Sequence, residues 1–331
     1  MGNKKNVETI LGLSLRFLLY YILMLTPLHT VLKKALKHSY AVGAFNVNNL
    51  EMIQAVMEAA EAEKAPVILS TSEGAIEYAG MEELAALVHL AAKKTRIPVV
   101  FHLDHGKNRD LVVRAIKSGL YTSVMFDASA LPYKENVRLT KKIVALAHPK
   151  GISVEAELGA IAGIEDFVSV KERDAHLTDP QQAVHFVKET GCDALAIAIG
   201  TSHGAYKFTK DSHLDYTRLS LIKKKISVPL VLHGASGIPS SIKHLCTKYG
   251  CHIEKAKGVS DASIKKAVSL GINKINVDTD LRIAFDAGIR EYLAHNPEIF
   301  DPRKILTPAK ELITKVVRQK MRLFGCSVQE K

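Results

Sequence analysis

The chain has 331 residues, 47% of them hydrophobic, which is enough to bury a large core and lies outside the composition of disordered chains. Lys and Arg outnumber Asp and Glu by 45 to 34, a balance that favours anionic partners. Trp is absent and no dense basic block is interleaved with aromatics, so nucleic acid is the weaker reading and a phosphate-bearing small molecule the better one.

Ile10 to Leu25 is a mostly apolar run interrupted by Arg16, with Lys4 and Lys5 upstream. It is short for a membrane-spanning helix and lacks a small-x-small cleavage site. A buried extra helix, or sequence upstream of a functional start near Met24, is preferred to a non-cleaved anchor. Residues 1–27 are therefore set apart as an extension, and 28–331 are expected to form one domain.

From Leu28 the chain alternates. Val31 to Lys37 reads as a short amphipathic helix, Tyr40 to Val47 as strand one, and Leu50 to Glu63 as a helix with apolar spacing of three and four. Strand two is Pro66 to Ser72, with a helix from Met81 to Lys94. Strand three is Pro98 to Asp104, with a helix from Arg109 to Lys117. Strand four is Thr122 to Asp127, with a helix from Lys134 to His148, and strand five is Ile152 to Leu158. Gly159 to Thr178 reads as irregular, before a helix with Pro180 in its first turn. Strands six, seven and eight are Ala194 to Ile199, Pro229 to His233 and Gly271 to Val277. Helices follow at Tyr216 to Lys225, Asp261 to Leu270 and Leu281 to His295, and a last one runs from Pro302 to Met321.

Eight short apolar strands alternating with helices predict a (β/α)₈ TIM barrel, of class α/β. A doubly wound sheet is the runner-up, but no G-x-G-x-x-G follows strand one. Gly159 to Thr178 and Ile238 to Ser260 stand out as long loops at the C-terminal ends of the strands, where barrel active sites are built. Cys192, Cys246, Cys251 and Cys326 show no C-x-x-C spacing, which suggests reduced thiols and a cytoplasmic setting. Cys246 and Cys251 fall in a polar, Lys-rich loop and read as incidental rather than as a zinc knuckle.

Polar residues gather at the strand ends. Asp104 and His105 end strand three, and successive strand side chains point to opposite faces, so the two are expected to diverge. That suits one residue binding a metal while the other handles a proton. His105, His203 and His233 share one pattern, a strand followed by His-Gly, and a barrel brings strands three, six and seven to one face. Three imidazoles with an open fourth position make a catalytic zinc arrangement. His102 is expected to point into the barrel as a core residue, and His213, His244, His252 and His295 to lie on the surface. Gly234 to Gly237 and Asn276 to Thr279 follow strands seven and eight, where barrels bind phosphate through backbone N–H groups.

The set YAVGAFNVNN, STSEG, HLDHG, SVMFDAS, SVEAELG, TSHGAYK, VLHGASG and INVDTDLRIAF resembles class II, zinc-dependent fructose-bisphosphate aldolases from Leu28 to the C-terminus. The resemblance implies that His105, His203 and His233 hold a catalytic Zn²⁺, with Asp127 and Glu157 at a second or alternative metal position. Asp104 would be the acid/base at the C4 oxygen, and Glu165 would exchange the C1 proton. Ser72, Gly204, Lys207, Gly234, Ala235, Ser236, Asn276, Val277, Asp278 and Thr279 would contact substrate, and Asn46 at the end of strand one joins them. Arg282 would reach a phosphate, across a dimer interface in one reading, and a homodimer or higher homo-oligomer is expected. Fructose-bisphosphate enzymes typically carry Asp where this chain has Asp278, whereas tagatose-bisphosphate enzymes, the alternative, tend to carry Ala. Ala162-Gly163-Ile164 departs from the family's more usual Gly-Gly-polar loop. Use of a monovalent cation is left open.

The chemistry fits these side chains. Cleavage between C3 and C4 of a ketose leaves charge beside a carbonyl, which a metal stabilises while Asp104 takes the C4 hydroxyl proton and Glu165 serves C1. A Schiff-base aldolase would need a strand lysine, and Lys274 is the one obvious choice. A non-catalytic sugar-phosphate-binding barrel would not need Asp104 and Glu165.

Overall fold

The structure is a computed structural model that describes residues 25–165, 168–170, 176–203, 214–253, 256 and 258–327; of these, 162–165, 168–170 and 203 are described by backbone alone. Most of the apolar extension therefore lies outside the described residues.

The barrel strands are β1 (Val42–Asn46), β2 (Val67–Thr71), β3 (Val99–Gly106), β4 (Ser123–Phe126), β5 (Ser153–Leu158), β8 (Ala194–Ile197), β10 (Leu230–Leu232) and β11 (Ile272–Val277). They close in chain order, with every pair parallel and β1 bonded to β11. Every residue of these strands is buried. That is why several of them, β8 and β10 among them, read as continuous apolar runs: helices cover the outside and side chains fill the inside.

Two cores result. The outer one lies between sheet and helices. The inner one joins Val42, Ala44, Ile68, Val100, Met125, Ala194, Ala196 and Val231 to α1 (Leu28–His38). The helix buries Leu28, Val31, Leu32 and Ala35 against the N-terminal end of the barrel, which it plugs. The opposite end is left for chemistry.

Further helices are α2 (Leu50–Ala62), α3 (Glu73–Ala79), α4 (Met81–Ala92), α5 (Arg109–Ser118), α6 (Tyr133–Ala147), α7 (Pro180–Thr190) and α8 (Tyr216–Lys223). They are followed by α9 (Ser240–Lys248), α10 (Asp261–Ser269), α11 (Thr279–His295) and α12 (Pro302–Phe324). Side-chain caps mark several starts, among them Asn49, Asn108, Asp179 and Asp301.

Three expectations need correction. Gly159 to Thr178 is not irregular throughout: β6 (Ala162–Glu165) and β7 (Val168–Val170) form an antiparallel pair, and β6 also bonds to β9 (Ser202–His203). Ile238 to Ser260 is not all loop, because α9 lies in it with Ile242 and Cys246 buried. Cys246 is thus a buried helical residue. The short α3 was also missed; Ser72 caps it by accepting from the Ala75 N–H at 3.2 Å.

The C-terminal helix α12 packs on α2 and α11, and it is anchored at Glu63. The Glu63 carboxylate accepts from Arg318 Nε at 2.8 Å, from Arg322 Nε and Nη2 at 2.8 and 2.7 Å, and from Ser327 Oγ at 2.6 Å. The Arg322 hydrogen bonds, aided by Ser327 and Arg318 and opposed by burial, hold its carboxyl down at about 2. A carboxyl depressed in the fold stabilises fully above its ordinary value and loses that contribution as pH falls toward the folded value. Between pH 4.5 and 2 the wild type is therefore expected to lose urea resistance more steeply than Glu63→Gln, measured as the unfolding midpoint against pH. Parallel pH profiles would contradict the anchor.

Candidate active site

The site begins where β3 stops being regular. His105 sits at φ +45°, and the pairing with β4 skips from Leu103 to Gly106. A left-handed residue breaks strand alternation. Asp104 and His105 therefore do not diverge as expected: ligand atoms of Asp104, His105 and His233 all lie within 4.8 Å of one another. The His105 and His233 rings meet edge to face, with centroids 4.4 Å apart. Backbone strain of this kind persists only where the surroundings enforce it, and it concentrates at functional sites.

Buried partners fix each of these groups. Asn46 Nδ2 donates to Asp104 Oδ2 at 3.0 Å, and Asn276 Nδ2 donates to Oδ1 at 2.8 Å. Lys274 Nζ donates to Asn276 Oδ1 at 2.7 Å and pairs with Glu155 Oε2 at 2.9 Å. Glu155 Oε1 in turn lies 2.8 Å from His233 Nε2. A chain of contacts thus runs from Asp104 through Asn276, Lys274 and Glu155 to His233.

On the other side, His105 Nδ1 meets Asp127 Oδ2 at 3.1 Å, and Ser129 Oγ donates to Asp127 Oδ1 at 2.7 Å. Glu157 completes a second close group with His105 and Asp127. Burial alone would lower the His105 pKa, yet Asp104, Asp127 and Glu157 outweigh it and push the ring up to about 10. Burial works against the Asp127 charge too, but His105 and Ser129 hold its carboxyl well below the usual range. Burial, reinforced by Asp127, pushes Glu157 well up. This pocket is overloaded with buried carboxylates. Glu157 Oε2 has no hydrogen-bond partner there. Two imidazoles among such oxygens form an N/O donor set that suits a divalent cation, and the field that protonates His105 favours a metal in the proton's place.

His102 is fully buried, with Nδ1 2.9 Å from Ser123 Oγ. Burial, helped by Lys274, pulls its pKa well down, so the ring is neutral. Its Nε2 lies 3.9 Å from both Asp104 and Glu155, closer to the site than a core reading implies.

The two expected phosphate segments lie side by side. Gly234 is at φ +61°, and a Cβ there would meet the Ser202 carbonyl oxygen at 2.6 Å, so a glycine is required. Beyond Ala235 and Ser236, the N–H groups of Gly237 and Ile238 donate to Asp280. Lys320 of α12 holds that carboxylate at 3.0 Å. Val277 and Thr279 are buried, and Asp278 binds Arg282 through Oδ1 to Nε and Oδ2 to Nη2, each at 2.8 Å.

Gly204 and Lys207 lie outside the described residues, as do the His203 and Glu165 side chains. The strand that carries Glu165 is nonetheless bonded to the one that carries His203: Gly163 pairs with His203 across β6 and β9. Glu155 was missed as a functional residue, although the period-two pattern places it on the same face as Glu157. Lys274, the Schiff-base candidate, instead bridges Asn276 and Glu155.

The family model for class-II fructose-bisphosphate aldolases matches residues 26–329. The chain belongs to that family. It is 51% identical to the fructose-bisphosphate aldolase of Thermus caldophilus over 295 residues, 89% of this chain and 96% of that one. It is 47% identical to the fructose-bisphosphate aldolase of Giardia intestinalis over 304 residues, 91% of this chain and 93% of that one. Among solved structures, the YdjI aldolase from Escherichia coli K12 superposes with a TM-score of 0.74 at 35% identity, covering 92% of this chain and 98% of that one. A putative fructose-1,6-biphosphate aldolase from Coccidioides immitis gives 0.75 at 29% identity, covering 90% and 96%. As a member of this family the chain is a class II, metal-dependent aldolase on a (β/α)₈ barrel. No helix among the described residues is long and apolar enough to cross a membrane.

Proposed function

We propose that this aldolase reversibly cleaves fructose 1,6-bisphosphate to dihydroxyacetone phosphate and glyceraldehyde 3-phosphate with Zn²⁺, in the cytoplasm and as a homodimer or larger homo-oligomer. The reading is carried by the convergence of Asp104, His105 and His233 within 4.8 Å at the barrel mouth. Relatives named fructose-bisphosphate aldolase, together with Asp278, favour fructose over tagatose bisphosphate.

His105 and His233, joined by His203, would hold the catalytic ion, and Asp127 and Glu157 would serve a second position. When bound, the ion supplies a Lewis acid beside the ketone, where cleavage leaves negative charge. Asp104 takes the C4 hydroxyl proton, and its two amide donors, Asn46 and Asn276, hold the carboxylate in place for that transfer. Asp127 and Glu155 orient His105 and His233. The N–H groups of Gly234 to Ser236 and Asn276 to Thr279 receive phosphate, with Ser72, Gly204 and Lys207 as further contacts. Arg282 exchanges Asp278 for a phosphate oxygen. Glu165, on β6, moves the C1 proton.

Lys274 argues against the Schiff-base alternative: it is fully buried and ion-paired with Glu155. A coupled cleavage assay on both ketose bisphosphates tests the proposal. Fructose bisphosphate turnover is expected to vanish in chelator and return with zinc, and tagatose bisphosphate to be the poorer substrate. Chelator-resistant cleavage that borohydride traps covalently would overturn it.

A further inference from the structure

On the outer face of the barrel, α9 ends in a Schellman turn. The Cys251 N–H donates to the Cys246 carbonyl at 3.0 Å and the Gly250 N–H to the Thr247 carbonyl at 3.2 Å, with Gly250 at φ +88°. This turn brings together the side chains of its first and last residues, a contact usually made by apolar groups. Here both are thiols. The two sulfurs and an Asp286 carboxylate oxygen lie within 4.8 Å of one another, and Cys246 Sγ–H donates to Asp286 Oδ2 at 3.5 Å. Cys246 is fully buried, whereas Cys251 is partly exposed. Arg290 holds both Asp286 oxygens at 2.8 Å through Nε, and its Nη1 donates to the Gly250 carbonyl at 3.1 Å, which pins the turn to α11.

A guanidinium already seated on Asp286 disfavours a cation at the same atoms, and two thiols with one carboxylate fall short of the four ligands of a closed zinc site. One reachable thiol with a second directly behind it is the arrangement of a redox pair. We propose that Cys246 and Cys251 are a modification site that closes into a reversible disulfide under peroxide-class oxidants. The Cys251 thiolate attacks a peroxide oxygen and the O–O bond breaks. This leaves a sulfenic acid on Cys251, and the departing hydroxide gains the Cys251 proton to become water. The Cys246 sulfur then attacks the Cys251 sulfur and the S–O bond breaks. The leaving hydroxide takes the Cys246 proton, with Asp286 placed to pass it on. Two thiols and one hydrogen peroxide give one disulfide and two waters; the sulfurs lose two electrons and the peroxide gains them. Burial, reinforced by Cys251 and Asp286, pushes the Cys246 thiol well up, which fits a resolving thiol that waits for a neighbouring base. The disulfide removes the Cys246 proton from Asp286 and ties the last turn of α9 to the chain beyond it.

Trypsin cuts after Lys248 and so separates HLCTK from YGCHIEK. Peroxide-treated, zinc-loaded enzyme is expected to lose two of its four thiols. Mass spectrometry of its digest should then show these two peptides joined, less two hydrogens, and released by dithiothreitol. Cys192 and Cys326 stay alkylatable after unfolding. In Cys251→Ser, Cys246 is expected to resist peroxide, and in Cys246→Ser dimedone should trap a sulfenic acid on Cys251. Oxidation of Cys251 to sulfinic acid without a linked peptide would overturn the proposal. So would a second bound zinc that Cys251→Ser removes, because that outcome makes the cluster a metal site.

Discussion

Asp104→Ala is expected to lower turnover roughly 10²–10⁴-fold while zinc stays bound, the usual contribution of a general acid/base. Asp104 stands beside both imidazoles, yet its two oxygens are already engaged by Asn46 and Asn276. Those donors fix the carboxylate beside the two imidazoles, where the proposed mechanism needs a base for the C4 hydroxyl. Asp104→Asn keeps the size and removes the base. Asn46, whose Oδ1 has no hydrogen-bond partner, can turn its amide to accept from the new NH₂, so turnover should fall almost as far as in Ala with an unchanged fold. Near-wild-type turnover in either variant with full zinc content would remove Asp104 from the chemistry. Loss of zinc in both would recast it as a ligand.

Glu155→Gln is expected to damage both the fold and the metal site. The side chain is fully buried between Lys274 and His233. Neutralising it leaves the Lys274 ammonium buried without its counter-charge, a loss of about 3–5 kcal/mol for breaking a buried pair from one side. It also removes the carboxylate that orients His233, and outer-shell partners of this kind change metal affinity roughly 10–100-fold. The double variant Glu155→Gln, Lys274→Met separates the two effects. It removes the stranded charge, so thermal stability should largely recover while zinc affinity stays low. An unchanged melting temperature in the single variant, or zinc affinity restored in the double, would contradict the chain of contacts from Asp104 to His233.

The barrel was legible because its strands are buried on both faces. A continuous apolar run such as Ala194 to Ile199 has few other places to sit in a chain this long. The strand-then-His-Gly pattern likewise marked His105 and His233, whose rings barrel closure brings together, whereas the His203 side chain lies outside the described residues. Three features were hidden, each because a long-range constraint overrides a local rule. The left-handed backbone of His105 reverses what alternation predicts, and nothing in the residue type announces it. The β6–β7 hairpin draws on pairing with β9, so Gly163 meets a partner forty residues later in the chain. Glu155 reads as another polar residue on a strand until Lys274 and His233 arrive from β11 and the end of β10. The helix α9 was legible in principle, since Ile242, Leu245 and Cys246 follow helical spacing, but the surrounding Ser, Lys and Gly masked it.

Under the proposed function, imidazoles from separate barrel strands share one divalent ion. Crystals of the zinc-loaded enzyme, measured on either side of the zinc absorption edge, test it directly. One strong anomalous peak is predicted about 2.0–2.1 Å from a ring nitrogen of both His105 and His233. A peak bound to only one of those rings, or to neither, would contradict the account.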